Sequence, residues 1–134
     1  MALTKSFSES FSPAFGDQFQ GAITIPIEKP TNSTRNKIPI TIHLSKVGPQ
    51  TSLGCYVYTI PAPSQNRTTP FYQTLLNNAE ETLVDMTKRV GGLITKKYNV
   101  PSYVSLSGPW ELEDLIPVVK ELVSTLESKW IETM

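Results

Sequence analysis

The sequence predicts an α+β fold: a mostly antiparallel β-sheet of about five to six strands with two helices packed on one face. Three observations predict it. The first half of the chain is a series of short runs whose apolar residues recur with a period of two. The stretch from Asn78 to Trp130 then reads helix, strand, helix, and both helical segments carry an apolar stripe. Neither stripe can be buried by the other helix alone, because the β-like runs ahead of them also need covering. Laying the helix pair on a sheet satisfies both demands.

Thr4 to Phe11 alternates, with Phe7 and Phe11 set among Ser6, Ser8 and Ser10, and predicts a first strand at a sheet edge. Ser12-Pro13 to Gln20 is turn-rich. Gly21 to Ile27 (GAITIPI) is a stronger strand, with Ile23, Ile25 and Ile27 on one face. Pro26 has no N–H for a ladder, so this strand lies at an edge or ends there. Glu28 to Lys37 is a polar loop. Ile38 to Lys46 sets Ile38, Ile40, Ile42 and Leu44 on one face, and Pro39, Thr41, His43 and Ser45 on the other. Gly48-Pro49 signals a turn. Thr51 to Ile60 is the densest β-forming run. Leu53, Cys55 and Val57 occupy one of its faces; Tyr56, Tyr58 and Ile60 occupy the other. A strand apolar on both sides is expected to be buried on both. Pro61 to Pro70 is a proline-rich loop, and Phe71 to Leu76 a short strand.

The first helix is expected to start at Asn78, with Glu81 completing a capping box. Ala79, Leu83, Met86, Val90 and Leu93/Ile94 form its buried stripe. Glu80 and Glu81 near the start and Lys96 and Lys97 near the end suit the helix dipole. Asn99 suits a left-handed helix end, and Pro101 prevents resumption. Gly91-Gly92 is anomalous, since each glycine costs about 1 kcal/mol against alanine in a helix interior. The pair implies either close backbone packing or a local weakening. Ser102 to Ser107 is the last strand. In the last helix Leu112, Leu115, Ile116, Val119, Leu122, Val123, Leu126 and Trp130 share one broad face. Pro117 requires that regular helix begin near Asp114, the favoured reading, or that a leading turn bend at the proline.

One domain is expected over residues 1–134. A chain of this length buries roughly 65–70% of the surface it exposes when unfolded, enough for a true core. Twelve basic and twelve acidic residues cancel, leaving no field to attract nucleic acid or an anionic membrane. Zero net charge also leaves little colloidal repulsion, which suits a chain that lives in a complex. One cysteine, Cys55, excludes an intrachain disulfide and a multi-cysteine zinc site. No apolar run reaches the roughly 18 residues that a membrane span needs, and the N-terminus lacks the apolar core of a signal peptide. The expected compartment is the cytoplasm, with the nucleus as a second. On that reading the sequons at Asn32 and Asn66 are chance occurrences.

Candidate chemistry is sparse. His43 is the single histidine and sits mid-strand, opposite the isoleucines; without neighbouring groups to tune it, a structural or interface role is expected. Cys55 lies in the most apolar strand, without the positive charge that activates a thiol, and reads as core. Glu80/Glu81 and Glu111/Glu113/Asp114 stand at helix starts, where carboxylates stabilise the dipole without any further function. Gly91-Gly92 matches no phosphate-binding pattern. Lys88, Arg89, Lys96 and Lys97 form a small basic cluster, read first as a solvated helix face and second as a contact for an acidic partner. No catalytic residue, metal or cofactor is expected.

The unusual feature is leftover apolar surface. With the helices on the Cys55–Val57 side, Tyr56, Tyr58 and Ile60 face away from them. In one reading the N-terminal segment or the proline-rich loop folds over this face. In the sharper reading a protein partner packs sheet against sheet, since tyrosine is favoured at interfaces. The candidate interface is Tyr56, Tyr58 and Ile60, joined by Thr41 and His43 if register places their strand beside it.

Leu53 to Pro61 (LGCYVYTIP) and Ile94 to Ser107 (ITKKYNVPSYVSLS) resemble the aromatic strand and the helix–turn–strand of the fungal proteasome assembly chaperone 4 family. The likeness runs from about Ile38 to Trp130, and Gly91-Gly92 departs from the unbroken helix expected of that family. The resemblance implies a small α+β protein without catalytic residues that forms a heterodimer with proteasome assembly chaperone 3. It also implies binding to an alpha subunit, alpha-5, early in alpha-ring assembly of the 20S core particle, followed by dissociation. The alternative is a small ligand-binding or regulatory domain that uses the tyrosine face as a pocket. The first predicts poor solubility alone, rescued by a partner chain; the second predicts a soluble monomer stabilised by a small molecule.

Overall fold

A computed structural model describes residues 4–12, 18–30, 38–46, 54–61, 71–78 and 81–133. Six strands form one sheet: β1 (Thr4–Phe11), β2 (Phe19–Pro26), β3 (Ile40–Lys46), β4 (Cys55–Pro61), β5 (Phe71–Asn78) and β6 (Ser102–Ser107). Two helices follow the fifth and sixth strands, α1 (Val84–Tyr98) and α2 (Leu115–Thr133), each led by a 3₁₀ turn, Glu81–Leu83 and Leu112–Asp114. The spatial order is β1-β2-β3-β6-β4-β5. Only β3 and β6 run parallel; the other pairs are antiparallel. The α+β class, the mostly antiparallel sheet and the two helices are as the sequence predicts. Insertion of β6 between β3 and β4 is what periodicity alone did not reveal.

Alternation decides which side of each strand is buried. Ile23 and Ile25, Ile40, Ile42 and Leu44, Cys55 and Val57, and Val104 and Leu106 all point to the helices and are almost wholly buried. α1 lies over β4, β5 and β6. α2 lies over the other half, held at its end by Trp130 Nε1, which donates to the Pro26 carbonyl at 2.9 Å. Lys129 pairs with Glu9 on β1 at 3.1 Å. Between the helices Tyr98 meets Trp130 edge to face and donates its hydroxyl to Glu127 at 3.0 Å. β2 is an inner strand and ends at Pro26, so the missing N–H breaks no ladder.

Several expectations are corrected. Asn78 does not start a helix: it is the last residue of β5 and pairs with Cys55. The ladder to β4 offers these residues backbone partners, so the strand runs two residues beyond Leu76 and no Asn78/Glu81 capping box forms. Leu83 stands at the N-cap without a side-chain hydrogen bond. In the stripes, Leu93 and Ile116 are exposed, whereas Val118 is buried. Val118, Leu122, Leu126 and Trp130 recur every four residues on the buried side of α2, and Ile116 falls off that stripe. Pro117 is the third residue of α2, within its first turn, where a missing N–H costs nothing.

Gly91 and Gly92 are explained by close packing. A Cβ on Gly91 would lie 2.8 Å from Thr59 Oγ1, and one on Gly92 would lie 2.6 Å from Phe71 Cζ. The helix backbone therefore rests directly on β4 and β5. Asn99 adopts the left-handed conformation (φ 55°, ψ 41°) and its N–H reaches the Thr95 carbonyl at 2.8 Å. Asp114, expected as a helix-start carboxylate, also makes a buried ion pair. It is buried, holds Lys46 at 2.8 Å and accepts the Glu111 N–H at 2.9 Å. The Gly48-Pro49 turn, Leu53, Ala79, Glu80 and the loop from Ala62 to Pro70 lie outside the described residues.

Candidate interaction surface

The sheet side away from the helices is built by the alternate residues of the same strands. Register sets Thr41, Tyr103 and Tyr58 in one row across β3, β6 and β4, and His43, Ser105 and Tyr56 in the next. Ile60 stands across from Tyr72 of β5. The residues singled out from sequence therefore share a face, but Thr41 and His43 are not on the strand beside Tyr56 and Tyr58. β6 lies between and contributes Tyr103 to the centre of the patch. Parity within SYVSLS could have found it, since Tyr103 alternates with the buried Ser102 and Val104.

The aromatic groups touch one another. Tyr58 stacks on Tyr103, Tyr56 is tilted against Tyr103 at 6.1 Å, and His43 is tilted against Tyr56 at 5.5 Å. Tyr56, Tyr58, Ile60 and Tyr103 are half-buried and Tyr72 is exposed. Among the described residues, the outer side of β4 is thus only half-buried. Nor does the N-terminal segment fold across the patch: Thr4–Phe11 is β1, at the far edge of the sheet. Toward that edge the face becomes small and polar. Ser8, Ser10, Gln20, Ala22, His43 and Ser45 line a shallow depression of about 370 Å³. One side of the sheet is therefore aromatic over β6, β4 and β5, serine-rich over β1, and lined by Gln20, Ala22 and Thr24 on β2.

Partial burial pushes the phenols of Tyr56 and Tyr58 above the usual tyrosine range, with the neighbouring Tyr103 adding to the effect. Both are neutral donors at physiological pH. Burial holds the His43 imidazole below its ordinary value of 6.5. His43 Nδ1 shares a hydrogen bond of 2.5 Å with Ser105 Oγ. A serine–histidine pair invites a nucleophilic reading, but three observations oppose it. Ser105 is buried in the sheet, no carboxylate orients the ring among the described residues, and the nearby depression is shallow and open. The bond links β3 to β6. Among the described residues no cluster of three His, Cys, Asp or Glu side chains is placed to hold a metal, and no helix is long and apolar enough to cross a membrane. Cys55 is fully buried, a core residue as expected.

Stacked tyrosines on a sheet side that the helices leave uncovered suit a protein surface. Residues 2–118 match the family model described as 20S proteasome chaperone assembly proteins 3 and 4. The chain belongs to this family of proteasome assembly chaperones. Its fold is similar to that of a chain in a crystal structure described as a novel chaperone complex for yeast 20S proteasome assembly. The TM-score is 0.75 at 22% identity, covering 96% of this chain and 99% of that one. No curated protein matches this chain significantly. In this chain Gly91-Gly92 is a packing feature, and family membership supports a role in binding rather than turnover.

Proposed function

We propose that this chain is the chaperone 4 member of a heterodimer with a proteasome assembly chaperone 3 homologue, joined through the outer sheet face. The observation that carries the proposal is the patch of Tyr56, Tyr58 and Tyr103, with His43, Thr41 and Ile60 around it, on a sheet side that the helices leave uncovered. Tyrosine offers large apolar area with a polar tip and few rotamers to freeze, which favours it at interfaces. The pair binds an alpha subunit, alpha-5, early in alpha-ring assembly and leaves before the particle matures. It needs no cofactor, because it works through surface that it covers and later frees. Its compartments are the cytoplasm and the nucleus.

The test is co-expression with a chaperone 3 homologue, with molar mass measured by light scattering on a sizing column. A stable complex of one copy each supports the reading. A well-behaved monomer that ignores the partner contradicts it.

A further inference from the structure

Among the described residues, none of the six strands places an Asp, Glu, Lys or Arg on the outer side of the sheet. The charged residues within strands are Lys5 and Glu9 on β1 and Lys46 on β3, and all of them alternate onto the helix side, where they meet Lys129 and Asp114. Depletion of charge is the compositional mark of an interface core. Register also sorts this face by size. One row runs Ser8, Ala22, His43, Ser105 and Tyr56 across β1, β2, β3, β6 and β4. Neighbouring strands stand about 4.8 Å apart, so Ala22 lies about 14 Å from Tyr56. The serine and the alanine leave unfilled the height that the tyrosine rings reach. Two adjoining depressions, of about 370 and 420 Å³, share Ser8, Ala22 and His43, and these three residues are exposed.

The aromatic half alone is too small for a stable pairing. A specific interface covers about 800 Å² on each partner. At about 4.8 Å per strand and 3.4 Å per residue, three strands of this length present about 350 Å² and six about 700 Å². Only the full width of the face, with the relief of its side chains, approaches what a stable dimer needs. A partner on the tyrosines must therefore also cover β1, β2 and β3. There the hydroxyls of Ser8, Ser10 and Ser45, the Gln20 amide and the His43 ring line the hollow. The Glu9 carboxylate, also at its margin, is held on the helix side by Lys129. This lining offers no ion pair to a charged side chain, which would lose its water without compensation. It suits an aromatic ring with a polar tip: the ring over Ala22 and His43, the tip among the serines.

We infer that the hollow centred on Ser8, Ala22 and His43 seats an uncharged aromatic side chain from the sheet of the partner chaperone. This rests on the function proposed above and deepens it: the tyrosine ridge over β6 and β4 is one contact, and the hollow over β1, β2 and β3 is a second. One family model describes proteins 3 and 4 together. A partner sheet of like order, turned about an axis along the strands, sets ridge on hollow and hollow on ridge. The hollow thereby fixes the angle at which the two sheets meet, and a partner without the matching ring leaves its hydroxyls unpaired.

The experiment uses this chain co-expressed with a chaperone 3 homologue, with the Kd of the purified pair measured by sedimentation over a dilution series. Ala22→Trp fills the hollow from an exposed position, so the melting temperature stays that of wild type while Kd rises at least about tenfold. Ser8→Glu sets a charge in the hollow and raises Kd as well, which keeps the test open should Ala22→Trp disturb the fold. Ala22→Ser leaves the hollow empty and Kd unchanged. A Kd that stays at the wild-type value in both Ala22→Trp and Ser8→Glu overturns this inference, and leaves the heterodimer standing if Tyr58→Asp with Tyr103→Asp still separates the chains. A wild-type chain that does not pair overturns the functional reading and this inference with it. A self-dimer that Ala22→Trp dissolves assigns the hollow to a second copy and overturns it too.

Discussion

Tyr58 and Tyr103 stack across neighbouring strands, ring centroids 4.5 Å apart and planes 20° from parallel, on the sheet side that the helices leave uncovered. In the core such a pair would need no comment. Here it holds two phenol rings in fixed positions before any partner arrives. A preordered aromatic surface loses less side-chain freedom on binding than a flexible one, so more of its contact area counts toward affinity.

The two helix glycines are predicted to resist replacement to different degrees. Alanine gains about 1 kcal/mol of helix propensity over glycine. At Gly91 that gain is lost, because the new methyl group would meet Thr59 Oγ1, a buried hydroxyl fixed by Gln73 Nε2 at 3.1 Å. Gly91→Ala should destabilise the chain by about 1–3 kcal/mol, and pairing it with Thr59→Ala should restore part of the loss. Gly92→Ala should cost less, since the half-buried Phe71 ring can turn aside. Urea midpoints of the four proteins check the order.

Lys46 and Asp114 form a buried ion pair that ties the end of β3 to the start of α2. The Lys46 ammonium also donates to the Pro109 carbonyl at 3.1 Å and lies 5.7 Å from the centre of the Trp110 ring. Lys46→Met strands the carboxylate and should cost about 3–5 kcal/mol. The Lys46→Met/Asp114→Leu double variant should recover most of it, short of about 1 kcal/mol for the lost cap on Glu111. Thermal denaturation of the single and double variants measures both.

His43 predicts the sign of one pH effect. Its folded value lies below its unfolded value of 6.5, so the fold favours the neutral ring and binds fewer protons than the unfolded chain. Stability is complete above 6.5 and declines as pH falls through that value toward the lower folded one. Heterodimer formation over His43 would bury it further and deepen the decline. Unfolding midpoints between about pH 5 and pH 8 should slope upward, and less so in His43→Gln.

Much of this fold was legible because periodicity reports burial. Ile40, Ile42 and Leu44 alternate in sequence and are buried in the structure, and Ser102–Ser107 forms a strand over the predicted residues. What stayed hidden depends on tertiary pairing. Nothing local in Asn78 tells a helix cap from a strand end; the ladder opposite Cys55 decides it. Nothing in Lys46 or Asp114 announces a partner 68 residues away. The tyrosine face was half legible: parity gave Tyr56 and Tyr58 one side of β4, but Tyr103 enters only because a crossover slots β6 between β3 and β4.

The central claim is that the tyrosine face joins this chain to its chaperone partner. Its most direct test is the molar mass of the co-expressed pair when this chain carries Tyr58→Asp and Tyr103→Asp. Both side chains are half-buried on the outer face, so the core and the circular dichroism spectrum should be preserved. The account predicts that the wild-type pair elutes as a heterodimer and that the double variant elutes as separate chains. A heterodimer that survives both substitutions would contradict it and move the interface elsewhere on the molecule.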